Sequence, residues 1–251
     1  QEVLLFLETC AGKPLRPASS LLILDNIQCI PQISTLLTSI ALDFPQYHIA
    51  SIYKGVVNSD SFSVHDFDIL TLYPLDFEEF LWANGIETPV IELLKTCLQN
   101  EKTVPEALHK RMKQLLLQYT VVGGMPDVVQ TFVSTKQMDE VLQIQRDIVR
   151  SYEDDMIKYA EKKDKSRIKE CFQSIPKQLS KENKKFQYSI VKKGSTASKY
   201  AGSLQWIEDA GIIVRCYNLS ITELPLDGNA EENTFKVYMR DCGLFVSMLE
   251  D

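Results

Sequence analysis

The chain has 251 residues, of which 45% are hydrophobic and 24% charged, a composition typical of a globular protein rather than a disordered one. Its formal net charge of −7 argues against a protein that coats nucleic acid with its whole surface. The six cysteines show no disulfide framework or zinc-site spacing, and no apolar run reaches the roughly 20 residues that span a bilayer, so we expect a cytoplasmic protein without a membrane segment.

The N-terminal part of the chain predicts alternating helices and strands. A helix over residues 2–8 ends before Gly12 and Pro14, because both residue types break helices. Residues 21–24 are all apolar, which is typical of a strand buried on both faces of a parallel sheet. A helix over 32–42 and strands over 47–51 and 67–72 would follow. This order predicts a doubly wound sheet with parallel strands.

The two polar residues after the first strand carry the functional interpretation. Asp25 follows residues 21–24 directly, at the end of the strand where such sheets place ligands. An Asp there either holds Mg²⁺ in a Walker B arrangement or simply ends the strand, and the pattern alone leaves both interpretations open. Asn26 stands where efficient ATPases carry a Glu; its amide can hydrogen-bond a water but cannot accept the water's proton.

A helical region follows the predicted sheet. Asp76 and Glu79 have the spacing of a capping box that begins a helix over 77–84. Further helices are expected over 90–98, 105–119 and 127–133. Between the last two lie Gly123, Gly124, Met125 and Pro126, a turn with few side-chain atoms. It is either a helix connector or a place where the backbone approaches another surface closely.

The C-terminal part predicts a winged helix. Helices over 139–162 and 167–179, a strand over 186–191, a helix over 196–209 and a strand over 212–217 have the order of that motif. In the helix over 196–209, we expect Ala197, Tyr200, Ala201, Leu204 and Ile207 to face inward. Ser198, Lys199, Ser203 and Gln205 would then face outward. A strand over 234–241 and a helix over 242–249 end the sequence.

A lysine-rich segment surrounds that predicted helix. Between residues 177 and 199, Glu182 is the only acid, whereas seven lysines occur: Lys177, Lys181, Lys184, Lys185, Lys192, Lys193 and Lys199. In a chain of net charge −7, this local excess is what a nucleic-acid footprint requires. A solvated lysine-rich surface beside a protein-binding winged helix accounts for it equally well. We take Lys192, Lys193 and Lys199 as the candidate contacts to duplex DNA.

Taken together, these stretches resemble the prokaryotic AAA-like P-loop ATPases. In that family a P-loop core and a helical lid precede a winged helix and a C-terminal domain of unknown function. The resemblance runs in family order through residues 22–28, 72–81, 122–127, 144–148, 174–179, 183–186 and 206–212. It implies that Asp25 is the Mg²⁺-holding Walker B residue and that Ser51 senses the phosphate. It also implies that Gly123, Gly124, Met125 and Pro126 form a lid motif against the adenine ring.

The chain departs from the family at three places. The phosphate-binding loop Gly-x-x-x-x-Gly-Lys-Ser/Thr does not occur, and we expect it upstream of Gln1 because the sequence does not begin with Met. Asn26 replaces the usual Glu. Residues 52–55 replace the small Gly-Ser segment that the family has after the strand predicted over 47–51.

The sequence thus predicts a partial α/β parallel-sheet P-loop NTPase core over residues 1–72, a helical lid over 73–138 and a winged-helix domain over 139–220. Residues 221–251 would begin a C-terminal domain. The expected function is an ATP-binding, Mg²⁺-dependent ATPase or nucleotide switch with weak or absent hydrolysis. The alternative is a DNA- or protein-binding winged-helix module on a non-functional ATPase scaffold.

Overall fold

The structure, a computed structural model, describes residues 2–25, 27, 33–52 and 68–249. The chain divides into two compact units, residues 1–71 and residues 72–251. We call them the N-terminal unit and the C-terminal unit.

The N-terminal unit contains two helices and two strands. They are α1 (Glu2–Ala11), β1 (Leu21–Leu24), α2 (Ile33–Asp43) and β2 (His48–Ser51). β1 and β2 pair in parallel, with Leu21 opposite His48 and Leu24 opposite Ser51. The predicted parallel pairing of these two strands is therefore confirmed. Leu37 of α2 is buried, as expected of a helix that connects two parallel strands and packs on them.

Two expectations for this region are wrong. β1 is not buried on both faces: Leu21 is 56% exposed and Ile23 is 62% exposed. The reason is that the described part of this sheet has two strands, and nothing described covers the face that carries these side chains. The strand expected over 67–72 is also absent from its described part, residues 68–72, where no strand pairs with it and Leu70 is 88% exposed.

The first half of the C-terminal unit is helical. Its helices are α3 (Phe77–Ala83), α4 (Thr88–Gln99), α5 (Glu106–Val122), α6 (Pro126–Thr135) and α7 (Met138–Tyr159). The predicted capping box is confirmed, because Asp76 Oδ1 accepts from the Glu79 N–H at 2.9 Å and Glu79 Oε2 accepts from the Asp76 N–H at 2.8 Å. Phe80, Leu115 and Val128 lie at the centre of the core that these helices enclose.

A second core forms in the other half of this unit. Its elements are α8 (Lys165–Leu179), α9 (Tyr188–Val191), α10 (Ala197–Asp209), β3 (Ile213–Leu219), β4 (Ala230–Met239) and α11 (Cys242–Ser247). β3 and β4 form an antiparallel hairpin. Phe172, Leu204 and Ile213 are fully buried between the helices and this hairpin. Within the described residues, no helix is long and apolar enough to cross a membrane.

Two details of the predicted winged helix are wrong. Residues 188–191 form α9 rather than a strand, although the Phe186 N–H just before it donates to the Phe235 carbonyl of β4 at 2.8 Å. α10 is also rotated relative to the expectation, because Ser203 is buried whereas Ala197 and Ala201 are exposed. Small residues fit either face of a helix, so α8 and β3, which pack on α10, decide the rotation. The winged helix itself stays a prediction.

Candidate functional site

The ends of β1 and β2 bring Asp25 and Ser51 to one edge of the small sheet. Ser51 is the last residue of β2 and pairs with Leu24, which directly precedes Asp25. The pairing continues past the strands, since the Ile52 N–H donates to the Leu24 carbonyl at 2.8 Å. Both side chains are exposed. A ligand from solvent can therefore reach a carboxylate and a hydroxyl at neighbouring strand ends.

The chemistry of these two side chains fits a hard cation and a phosphate. Carboxylate and hydroxyl oxygens are the ligands that Mg²⁺ prefers, and a bound nucleotide supplies further oxygens itself. Within the described residues, no cluster of three or more His, Cys, Asp or Glu side chains could hold a metal ion. Asn26 lies outside the described residues. The roles of Asp25, Asn26 and Ser51 stay predictions.

The glycine turn between α5 and α6 is packed against its own chain. Gly123 and Gly124 are buried. The Gly124 N–H donates to Asp241 Oδ2 at 2.6 Å, and its carbonyl accepts from the Leu75 N–H at 2.7 Å. Both backbone polar groups of Gly124 are thus used within the C-terminal unit.

The close packing explains why the turn has glycines. A Cβ on Gly124 would lie 2.0 Å from the Leu75 carbonyl oxygen, and a Cβ on Gly123 would lie 2.4 Å from Asp241 Oδ1. Gly123 also has φ +75°, a conformation that side chains disfavour. The expectation of a close backbone approach is therefore met by contacts inside the chain.

Asp241 connects the turn to the C-terminal helix. It is 4% exposed, and besides Gly124 it accepts from the Leu244 N–H at 2.8 Å as the N-cap of α11. Burial raises the pKa of the Asp241 carboxyl, although backbone N–H groups that include those of Gly124 and Leu244 favour its charged form. We call Gly123, Gly124, Asp241 and Gly243 the Gly–Asp junction.

Gln145 of α7 supports the same junction. Its Nε2 donates to the carbonyls of Val121 and Val122, both at 2.9 Å, and the side chain is fully buried. A Cβ on Gly243 would lie 2.5 Å from this nitrogen. Sequence reasoning missed Gln145, but its position was readable: it lies four residues after Val141 and three before Ile148, within the buried stripe of α7.

The rest of the turn is more accessible. Met125 is half-buried and contacts both hydrophobic cores, whereas Pro126 is exposed at the first position of α6. A ligand at this turn would therefore meet Pro126 and the outer part of Met125 rather than the glycines. The adenine contact implied for Gly123, Gly124, Met125 and Pro126 stays a prediction.

The three candidate DNA-binding lysines differ in their contacts. Lys192 Nζ bonds Glu170 Oε1 at 2.7 Å, and the Tyr200 hydroxyl donates to Glu170 Oε2 at 2.6 Å. These two bonds lower the pKa of the Glu170 carboxyl, and the bond from Lys192 has the larger effect. Lys193 and Lys199 are exposed and form no ion pair within the described residues. Lys192 thus links α8 to the turn before α10, whereas Lys193 and Lys199 face solvent.

One solved structure resembles the whole chain. It is the Walker-type ATPase PABY2304 of Pyrococcus abyssi, with a TM-score of 0.53, 13% sequence identity and 99% of this chain covered. The chain spans 66% of the length of that protein. At this identity the likeness concerns the fold alone, which is that of a Walker-type ATPase at a coarse level. No curated protein matches the sequence.

The family comparison covers the C-terminal unit from the middle of α5 onward. Residues 113–251 match the family described as Domain of unknown function (DUF8612). This segment includes the Gly–Asp junction, α7 to α11 and the β3–β4 hairpin. Because the match covers more than half of the chain, the protein belongs to the DUF8612 family.

Proposed function

We propose that the protein binds ATP with Mg²⁺ and acts as a nucleotide switch with weak or absent hydrolysis. The observation that carries this proposal is the register of β1 and β2, which puts Asp25 and Ser51 at neighbouring ends of parallel strands. The coarse likeness to a Walker-type ATPase supports it. Asp25 would hold Mg²⁺, which neutralises phosphate charge, and the Ser51 hydroxyl would donate to a phosphate oxygen.

The weak hydrolysis follows from Asn26. Its side-chain amide can orient a water through a hydrogen bond but cannot take up a proton. Loss of a general base typically lowers a rate by a factor of about 10² to 10⁴. Binding of the nucleotide does not need that base, so the affinity for ATP is retained while the rate of ATP hydrolysis is low.

The C-terminal unit would relay the nucleotide state. We propose that α8, α9, α10 and the β3–β4 hairpin form a winged helix, since three helices followed by a two-stranded hairpin have its order. The turn over residues 123–126 would contact the adenine ring through Met125 and Pro126. The hydrogen bond from Gly124 to Asp241 supports a mechanical link from this turn to α11.

Binding of ATP with and without Mg²⁺ tests the proposal. We expect Mg²⁺ to tighten ATP binding in the wild type and to have no effect in Asp25→Ala, measured by calorimetry. Asp43→Ala is the matched control, because Asp43 is an exposed aspartate at the end of α2 in the same unit. Equal Mg²⁺ dependence in wild type and Asp25→Ala would reject the metal role of Asp25.

The role of Asn26 has its own test. In Asn26→Glu, a carboxylate replaces the amide, so ATP turnover should rise by at least about tenfold while ATP affinity stays close to that of the wild type. Phosphate release under single-turnover conditions measures this. Asn26→Gln is the control, since it lengthens the side chain without adding a base. Equal turnover in the wild type and Asn26→Glu would contradict the role.

The alternative function is duplex DNA binding by the winged helix. The exposure of Lys193 and Lys199 favours it. Replacing both by Glu should weaken binding and reduce the slope of affinity against salt by roughly 1 per lost phosphate contact. Lys110→Glu with Lys113→Glu on α5 is the control, because these exposed lysines change the net charge by the same amount. If the wild type does not bind duplex DNA even at low salt, this alternative is rejected.

A further inference from the structure

A groove runs between one side of α10 and the β3–β4 hairpin. It encloses about 600 Å³. Ala197, Ala201 and Gln205 line its α10 side; because they are spaced by four residues, they form one row along the helix. All three are exposed, so the row is open to solvent. The shape of the groove comes from these two alanines, which leave space that larger side chains would fill.

The floor of the groove is aromatic. The rings of Phe186 and Phe235 stack at 5.7 Å, Tyr188 contacts Phe186 edge-on at 5.2 Å, and Tyr217 lies 5.5 Å from Phe235. The Arg215 guanidinium lies 5.6 Å from the Tyr217 ring centre. Aromatic surfaces of this kind bind apolar side chains and the stems of long cationic ones.

The rim of the groove is acidic. Asp227 and Glu232 line it, and neither forms an ion pair within the described residues. The positive charge of Arg215 is already used, because Glu208 of α10 forms an ion pair with it. The sequence between Arg215 and Lys236 contains no lysine or arginine and four acids: Glu223, Asp227, Glu231 and Glu232. The base that contacts this part of β4 is Lys185, whose Nζ bonds Thr234 Oγ1 at 3.3 Å.

The hairpin loop adds exposed apolar side chains beside these acids. Ile221 is 53% exposed and Leu224 is 86% exposed. A surface with acids at the rim and apolar groups below attracts a segment that combines basic side chains with apolar ones. It repels a phosphate backbone, because two carboxylates in the loop, Glu223 and Asp227, and two at the start of β4, Glu231 and Glu232, would approach it.

The groove and Lys199 lie on different sides of α10. With 3.6 residues per turn, Lys199 is turned by about 200° from Ala197, so the groove row and Lys199 flank the buried side of the helix on opposite edges. A partner in the groove therefore need not contact Lys199. The two surfaces can be altered separately.

We propose that this groove binds a basic, partly apolar peptide segment of another protein. The charge complementarity of the acidic rim selects lysine or arginine, and the aromatic floor receives an apolar side chain next to it. This interaction does not depend on nucleotide binding, so it holds or fails independently of the proposed switch.

Selection from a library of short random peptides displayed on phage tests the proposal. The library is selected on the wild-type protein and counter-selected on Ala201→Trp, whose indole fills the groove from an exposed position. We expect enrichment of peptides that combine Lys or Arg with apolar residues. No enrichment, or enrichment of acidic peptides, would overturn the proposal.

The strongest enriched peptide is then synthesised and its affinity measured by fluorescence anisotropy. Ala201→Trp should weaken binding by at least about tenfold. Gly202→Trp is the matched control: it is the next residue of α10, and its Cβ has no atom within 4 Å, so binding should be unchanged. Asp227→Lys with Glu232→Lys should weaken binding by about fivefold. Equal loss in both tryptophan variants would overturn the groove as the binding site.

The same experiment tests two other possible occupants of the groove. Duplex DNA added as a competitor should not displace the peptide, and displacement would overturn the proposal. A second copy of the chain would show as a dimer by light scattering that Ala201→Trp abolishes; such a dimer would also overturn it.

Discussion

Two aspartates that follow β-strands have opposite surroundings in the two units of the molecule. Asp25 comes directly after β1 in the N-terminal unit and is exposed. Asp241 comes two residues after the end of β4 in the C-terminal unit, is 4% exposed, and accepts hydrogen bonds from two backbone N–H groups. Both have the sequence pattern of a carboxylate near a strand end.

The difference shows that the pattern alone does not separate an exposed carboxylate from one that is buried within the chain. An exposed carboxylate can exchange its hydrogen-bond partners with solvent, whereas a buried one must have its lone pairs satisfied within the chain. Asp241 satisfies that requirement through the glycine turn and α11. The same turn that the sequence associates with a nucleotide is thus a structural part of the Gly–Asp junction.

The largest expected effect concerns the close packing of that junction. Gly124→Ala would bring a Cβ to 2.0 Å from the Leu75 carbonyl oxygen, a backbone atom that cannot move alone. We expect the free energy of unfolding to fall by about 4 kcal/mol or more, measured by urea denaturation. Gly202→Ala is the control; it has open space and should raise stability by about 0.5 to 1 kcal/mol. Similar stability of both variants would contradict the close packing of Gly124 in the junction.

Removing the buried carboxylate comes next. Asp241→Ala leaves the buried N–H groups of Gly124 and Leu244 without acceptors, so the free energy of unfolding should fall by about 3 kcal/mol. Asp25→Ala should change it by less than about 1 kcal/mol, because the side chain is exposed. If both substitutions cost the same, the contrast between the two aspartates is wrong. Urea denaturation at neutral pH measures both.

The pH dependence sharpens the contrast further. Burial raises the pKa of Asp241 in the folded state above its ordinary value of about 3.9, so the folded protein binds this proton more tightly than the unfolded chain does. The contribution of Asp241 to stability is therefore present below the unfolded pKa and decreases as pH rises through the folded pKa. The stability difference between wild type and Asp241→Asn should decrease over that range. A difference that grows with pH would show that the hydrogen bonds outweigh burial.

The smallest effect concerns a third aspartate, which is neither a ligand candidate nor buried. Asp76 caps α3 through the capping box with Glu79. Asp76→Ala should lower the free energy of unfolding by about 1 kcal/mol, measured by thermal denaturation. Glu78→Ala, which alters an exposed ion pair with Lys95, should change it by less. A larger loss for Glu78→Ala would contradict the importance of the cap.

Local sequence patterns predicted most helices of the C-terminal unit well. The capping box, the glycine stops and the apolar periodicity lie within a few residues of one another, so each element carries its own signal. The strand prediction over 186–191 was wrong because six residues hold too little periodicity to separate a helical turn from a strand. α10 failed in its rotation, since alanine and serine fit both a buried and an exposed face.

For the candidate site, the sequence alone identified Asp25, Ser51 and the glycine turn as unusual positions. The structure decided how the glycine turn contacts its own chain. Gly124 bonds Asp241 across 117 positions of sequence, and Gln145 bonds the end of α5 from α7. Such contacts leave no local pattern, because any side chain with a suitable hydrogen-bond donor or acceptor at the right place in space would serve.

The sequence by itself determined where most helices and strands lie, that β1 and β2 run parallel, and that a glycine turn lies between α5 and α6. Only the tertiary structure decided that Asp241 occupies the space beside those glycines, that α10 presents alanines to a groove, and that Lys192 is held by Glu170. The physical reason is the distance along the chain over which each kind of interaction acts. Propensity and periodicity act between neighbours along the chain, whereas burial and hydrogen bonding depend on residues that folding brings together from distant positions.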